Sequence, residues 1–143
     1  MSTSPEPGSR LAEAGIVSLA AMRIGIGALA WVRPDAASAL FGFPQPDGQA
    51  RYLWRLFGVR DVVVGLSTVA STGSRRRTWA RVGLACDVAD GAAGALGRGE
   101  VRPLSAAAMV GVPAAAVAFG AWALRGPARP ARYAPRAAGS RRR

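Results

Sequence analysis

Residues Trp79–Gly97 read WARVGLACDVADGAAGALG. The run has the length of a bilayer-spanning helix, about 20 residues, yet Asp87 and Asp90 stand at its middle. Three positions apart on a helix, the two carboxylates share a face. Gly83, Gly91, Gly94 and Gly97 fall on or beside that face, and Leu84, Val88 and Leu96 fall elsewhere. An ionised carboxylate at such depth costs roughly 2.5–3.5 kcal/mol on an insertion scale. Such groups persist where they pair or line a polar cavity. The segment therefore predicts a helix that inserts only with help from neighbours, with its charge on a face of small residues.

The rest of the chain supplies neighbours of the same kind. Leu11–Val32 carries Arg23 at its centre, and Leu53–Gly73 carries Arg60 and Asp61. Leu104–Leu124 is apolar and uncharged. The expected architecture is all-α: a four-transmembrane-helix bundle over residues 11–124, with spans at 11–32, 53–73, 79–97 and 104–124. Pro34 ends the first span, because the residue before a proline avoids helix. Asp35–Phe43 then predicts a short interfacial helix with Leu40, Phe41 and Phe43 toward lipid. Ser74-Arg75-Arg76-Arg77 reads as a tight basic turn. Residues 1–10 and Arg125–Arg143 read as disordered, from their Pro, Gly, Ser and Arg content.

Two patterns fix a topology. With four spans, one side holds Arg10, Arg75–Arg77 and the Arg-rich tail, whereas the other holds only Arg33, Arg51, Arg98 and Arg102. The positive-inside rule then places both termini in the cytoplasm of a bacterial cell, with the protein multi-pass in the inner membrane. Trp31, Trp54, Trp79 and Trp122 all fall at span ends, as an aromatic belt requires. Ala28-Leu29-Ala30 has the form of a signal-peptidase site, but Arg23 breaks the apolar core that a signal peptide needs.

Composition narrows the function. The chain has 143 residues and a net charge of +11, with 19 basic residues against 8 acidic ones. All the basic residues are Arg, a bias that points to a high-GC bacterial genome. The Arg residues cluster between and after the apolar runs without a set of stacking aromatics, so membrane topology explains them better than nucleic acid does. The Arg-rich tail is expected to lie on anionic lipid headgroups. With no His and the single Cys86, zinc and haem ligand sets cannot be assembled, and no metal or cofactor is expected. The Ala/Gly faces make a homo-oligomer plausible beside the lipid bilayer as partner.

The candidate site is a buried polar cluster of Arg23, Arg60, Asp61, Asp87 and Asp90. Ala20, Arg23 and Gly27 line one face of the first span, and Gly58, Asp61 and Gly65 one face of the second. Arg60 points away from that second stripe by more than a right angle, so it must bend round or reach another helix. Arg23, Arg55, Arg60 and Arg81 balance Glu13, Asp61, Asp87 and Asp90 across the spans. Arg suits the role because its planar fork meets a carboxylate with two hydrogen bonds. At the midplane, two Arg face three Asp.

The cluster has two expected uses. It locks the helices of a structural or accessory membrane component, or it forms a proton-linked transport or ligand site using Asp87 and Asp90. No catalytic residue is expected, and the chain does not read as an enzyme. Asp87-x-x-Asp90-Gly91 matches only the start of the membrane CDP-alcohol phosphotransferase motif, whose later Asp residues are missing. Glu13 can be compared with the carboxylate of small drug exporters, but it lies near a helix end and lacks aromatic neighbours.

Arg55-Leu56-Phe57-Gly58-Val59-Arg60-Asp61, followed by Gly65, resembles the pattern of a family of uncharacterised four-span actinobacterial integral membrane proteins. It is a domain-of-unknown-function family loosely like the DoxX-like proteins. Arg23-Ile24-Gly25-Ile26-Gly27, Pro34, Phe41-Gly42-Phe43-Pro44 and the Asp87–Asp90 pair fit the same pattern. The resemblance runs from about Gly15 to Leu124. It implies a four-helix membrane fold and no particular reaction.

Overall fold

The computed structural model describes residues 7–126. Five α-helices and one short turn of 3₁₀ helix account for nearly all of them: α1 Pro7–Val32, α2 Pro34–Leu40, α3 Gly48–Ala70, α4 Gly73–Gly97, the 3₁₀ turn Arg98–Glu100, and α5 Pro103–Arg125. There is no strand among the described residues.

The four long helices form a ring in the order α1, α3, α4, α5, and α2 sits against α1 and α3. Contact is densest within two pairs, α1 with α3 and α4 with α5. Glycine makes the pairs tight. A Cβ on Gly27 would lie 2.6 Å from the Gly58 carbonyl oxygen, and one on Gly58 would collide with the Gly27 carbonyl. In the other pair, Pro113 has no N–H for the Met109 carbonyl four residues earlier. Gly94 backs onto that same carbonyl, leaving no room for a Cβ.

Local signals set the helix ends. Pro34 and Pro103 occupy first helical positions, where a missing N–H is harmless. The Asp47 side chain caps α3 by accepting from the Ala50 N–H at 2.8 Å. Gly42, at φ 74°, ends α2. Its N–H donates to Ala39 and that of Phe43 to Ser38, the paired bonds of a Schellman turn.

The packing inverts the usual soluble pattern. Among the described residues the buried apolar core consists mostly of alanine, and the largest side chains under 2 % exposed are merely those of Ser38 and Ser105. Arg23, Asp61 and Asp87 are buried, while Leu66, Val88, Leu104 and Trp122 are each more than half exposed. Burying charge beneath a large apolar surface is costly in water, where such surface patches are rarely extensive.

Several sequence-based expectations are corrected. α1 begins at Pro7, inside the stretch 1–10 expected to be disordered; residues 1–6 lie outside the described residues. Of the expected disordered tail Arg125–Arg143, Arg125 is helical and ends α5, and residues 127–143 lie outside the described residues. Ser74–Arg77 is no turn but the first turn of α4, and the chain reverses at Ser71–Thr72. Arg76 pairs with Glu13 and donates to the carbonyls of Thr68, Val69 and Ser71. Arg77 donates to the Leu124 carbonyl. Cations here satisfy the open carbonyls at helix C-termini. Phe41 and Phe43 turn inward onto Trp54 rather than toward lipid. Trp54 is the centre of this cluster.

Among the described residues, two helices are long and apolar enough to cross a membrane, α1 over Gly8–Val32 and α5 over Pro103–Arg125. α3 and α4 fall short because Arg51, Arg55, Arg60 and Asp61 dilute one, and Arg75–Arg77, Arg81, Asp87 and Asp90 dilute the other. The apolar window of α5 is only 17 % buried inside the protein.

Candidate functional site

All five residues expected to cluster are joined in one network between the two helix pairs. Arg23 is its hub. It projects from α1 toward α4, where Gly83 leaves space for it: a Cβ there would lie 3.1 Å from Arg23 Nε. Nη2 donates to an Asp87 carboxylate oxygen and, at 2.9 Å, to the Gly83 carbonyl. Nη1 lies 3.5 Å from Asp61 Oδ1 on α3. One guanidinium thus ties three helices.

Arg60 resolves its awkward angle by reaching across to α4. It grips Asp90 with both fork nitrogens, Nη1 to Oδ1 at 2.9 Å and Nη2 to Oδ2 at 2.6 Å. Two parallel charge-assisted bonds make this the stronger type of pairing. Its Cζ stands 5.0 Å from the centre of the Phe57 ring, within cation–π range. Its Nε is buried with no hydrogen-bond partner.

Asp61 fares differently. Its Oδ1 is shared by Arg23 Nη1 and Arg60 Nη2, each at 3.5 Å. That separation is at the outer limit of a hydrogen bond. Among the described residues, Oδ2 accepts no hydrogen bond, although Asp61 is only 5 % exposed. Asp87 and Asp90 are thus each committed to a guanidinium, and Asp61 is held weakly.

The network forms the floor of a cavity of ≈ 650 Å³. Arg23, Asp61, Asp87 and Asp90 all face it. Its walls are apolar: Met22 and Ile26 from α1, Trp54 and Phe57 from α3, Met109 and Val112 from α5. Phe41, Phe43 and the loop Pro44–Asp47 line its other end. The rings form a connected set, with Trp54 stacked on Phe41 at 5.6 Å and edge-on to Phe43 at 6.0 Å and Phe57 at 5.9 Å. Ser38 and Ser105 hold this end together by donating to the carbonyls of Pro44 and Gly42 at 2.8 and 2.7 Å.

The sequence reading missed the aromatic walls. A signal was present: Trp54, Phe57 and Asp61 recur at i, i+3 and i+7 and so form one stripe of α3. Arg55 and Arg81, which enter the charge balance across the spans, are exposed and outside the network. Glu13 is also outside it, paired with Arg76 at the other end of the bundle.

Fold and site together define an all-helical protein with a paired-charge interior, a central cavity and a large apolar exterior. The chain belongs to the family described as Domain of unknown function (DUF4267), whose model matches residues 20–125. The match contains every residue of the network. No curated protein and no solved structure matches the chain.

Proposed function

We propose that this protein is a four-span integral membrane protein that holds a small molecule in its central cavity. The cavity carries the proposal. At ≈ 650 Å³, with apolar and aromatic walls and a few convergent polar groups, it has the size and lining of small-molecule sites. Membrane insertion is supported by the apolar lengths of α1 and α5 and by the inversion of charge and apolar surface. α3 and α4 cross the bilayer beside them because their central charges face each other rather than lipid. The Arg distribution puts both termini in the cytoplasm. No bond-making step is part of the proposal.

The test is native mass spectrometry of the full chain, purified in a mild detergent, beside an Ala108→Trp variant. Ala108 lines the cavity, and an indole there takes up part of its volume. A molecule retained by the wild type and absent from the folded variant supports the proposal. An empty wild type, with no ligand in a small-molecule panel shifting its melting temperature more than the variant's, removes it.

A second reading, a structural or accessory membrane component, draws on the committed pairs Arg23–Asp87 and Arg60–Asp90. Under it, Asp87→Asn lowers the yield of folded protein, and no small molecule is retained by either form.

A further inference from the structure

We propose that the cavity takes an organic cation, with Asp61 as its counter-ion and the rings of Trp54 and Phe57 as its walls. The inference rests on the cavity being a ligand site and names the ligand's class.

Charge balance comes first. The network sets two guanidiniums, Arg23 and Arg60, against three carboxylates, Asp61, Asp87 and Asp90. Both guanidiniums are committed, and one carboxylate is left over. The geometry identifies it as Asp61, which has only the two 3.5 Å approaches to Oδ1 and nothing on Oδ2. A buried carboxylate so held lacks the compensation that its burial demands. It faces the cavity, so a ligand there can supply the missing positive charge.

The walls suit the same ligand. Trp54 stands seven residues before Asp61 on the same face of α3, about 10 Å away along the helix axis. Phe57 lies between them. Aromatic faces attract cations through the ring quadrupole, Trp most strongly. Phe57 already holds a cation this way, the Arg60 guanidinium at 5.0 Å. A positively charged head at Asp61 with an apolar body along Trp54, Phe41 and Phe43 would match the lining from floor to mouth.

The other ligand charges fit worse. An anion would add to the carboxylate excess and would have to displace Asp87 or Asp90 from its arginine. A neutral apolar molecule would fill the space but leave Asp61 Oδ2 facing hydrocarbon, at the cost of an unsatisfied buried polar group.

The test uses two rigid probes of matching shape and opposite charge, tetraphenylphosphonium and tetraphenylborate. Each is titrated by calorimetry into the full chain in an uncharged detergent. Protein-free micelles supply the background from partitioning, and the Ala108→Trp protein reports whether binding is in the cavity. We expect the cation to bind above that background roughly tenfold or more tightly than the anion. Asp61→Asn abolishes the preference, and Asp61→Glu keeps it. The wild-type comparison stands even if Asp61→Asn fails to fold.

Equal binding of both probes, or a preference that survives in folded Asp61→Asn, overturns the cation while leaving the cavity a ligand site. Binding of neither probe also overturns it, and a retained neutral molecule in the mass spectra would then keep the broader reading alone. Tighter binding of the borate would reassign the site to anions held by Arg23.

Discussion

Within each helix pair, backbones touch: Gly27 and Gly58 back onto each other in α1 and α3, and Gly94 meets the Met109 carbonyl between α4 and α5. Between the pairs, the same helices stand apart at one end around ≈ 650 Å³ of cavity, and ion pairs bridge them: Arg23 with Asp87 and Arg60 with Asp90. The pairs close on each other again at the other end. There Gly15 packs under Trp122 and Ala123, Gly120 admits Leu19 and Leu84, and Glu13 meets Arg76. On the proposed membrane reading, the difference follows from what can hold helices together in lipid. Apolar side chains gain little over hydrocarbon, so association rests on close packing of small residues or on polar contacts. The tight pairs use the first device. The interface between them uses the second, which tolerates open space because charges act over distance.

The largest effect should come from breaking the hub. Arg23→Ala leaves Asp61 and Asp87 buried beside each other with only the 3.5 Å contact to Arg60. Removing one partner of a buried pair typically costs roughly 3–5 kcal/mol. The melting temperature in detergent should fall sharply or the folded yield collapse. Arg23→Lys should recover part of the loss, because it restores charge but not the fork. An Arg23→Ala protein that melts with the wild type would mean that the ion pairs do not join the two halves.

Next comes the backbone contact. Gly58→Ala places a methyl group against the Gly27 carbonyl, where only backbone could yield. Overpacking of that kind costs roughly 1–3 kcal/mol. Gly25→Ala, on the same helix as Gly27 but with nothing within 4 Å of the new carbon, should instead gain up to about 1 kcal/mol from helix propensity. The two substitutions are chemically identical, so a shared outcome would erase the distinction between touching and open faces. Thermal melts of both, with circular dichroism to follow helix content, decide it.

A smaller effect is expected in the cavity itself. Ala108→Leu adds volume where space exists, so stability should change by less than about 1.5 kcal/mol, as for tolerated core swaps. Gly15→Leu, aimed at Trp122 and Ala123 with contacts of 3.0 and 3.1 Å already at the Cβ, should be far more damaging. Comparing their melting temperatures measures how unequal the two ends of the inter-pair interface are.

The polar network was legible in the sequence because charge inside an apolar run has few places to go. Arg60 stands off the common stripe of α3, and its reach to Asp90 accounts for that. The partners themselves were not legible, since a helical wheel gives a face and not a neighbour. The sequence pattern favoured Asp87 and Asp90 as the pair of interest, yet each is taken by an arginine, and Asp61 is the carboxylate left weakly held. Ser74–Arg77 reads as a turn from its charge, yet it is helical, because Arg ranks high in helix propensity. The aromatic walls depend on α2 folding back to bring Phe41 and Phe43 onto Trp54. No local period encodes that contact. A cavity is set by the spacing between helices, which side-chain patterning leaves open.

The smallest effect tests how wet the cavity's far end is. Arg51 on α3 donates through Nε and Nη2 to Asp35 Oδ1 on α2, each at 3.0 Å, beside the loop that lines the cavity. Both side chains are nearly half exposed, at 44 % and 45 %. Pairs so exposed are worth about 0–1 kcal/mol and weaken with salt. Arg51→Ala should therefore shift the melting temperature little in low salt and not at all in high salt. The same pair in a dry interface would behave otherwise, because low dielectric strengthens the attraction and salt cannot reach it. A salt-independent loss above about 1 kcal/mol would mean that lipid covers this end, with the α2–α3 contact acting as a latch over the cavity.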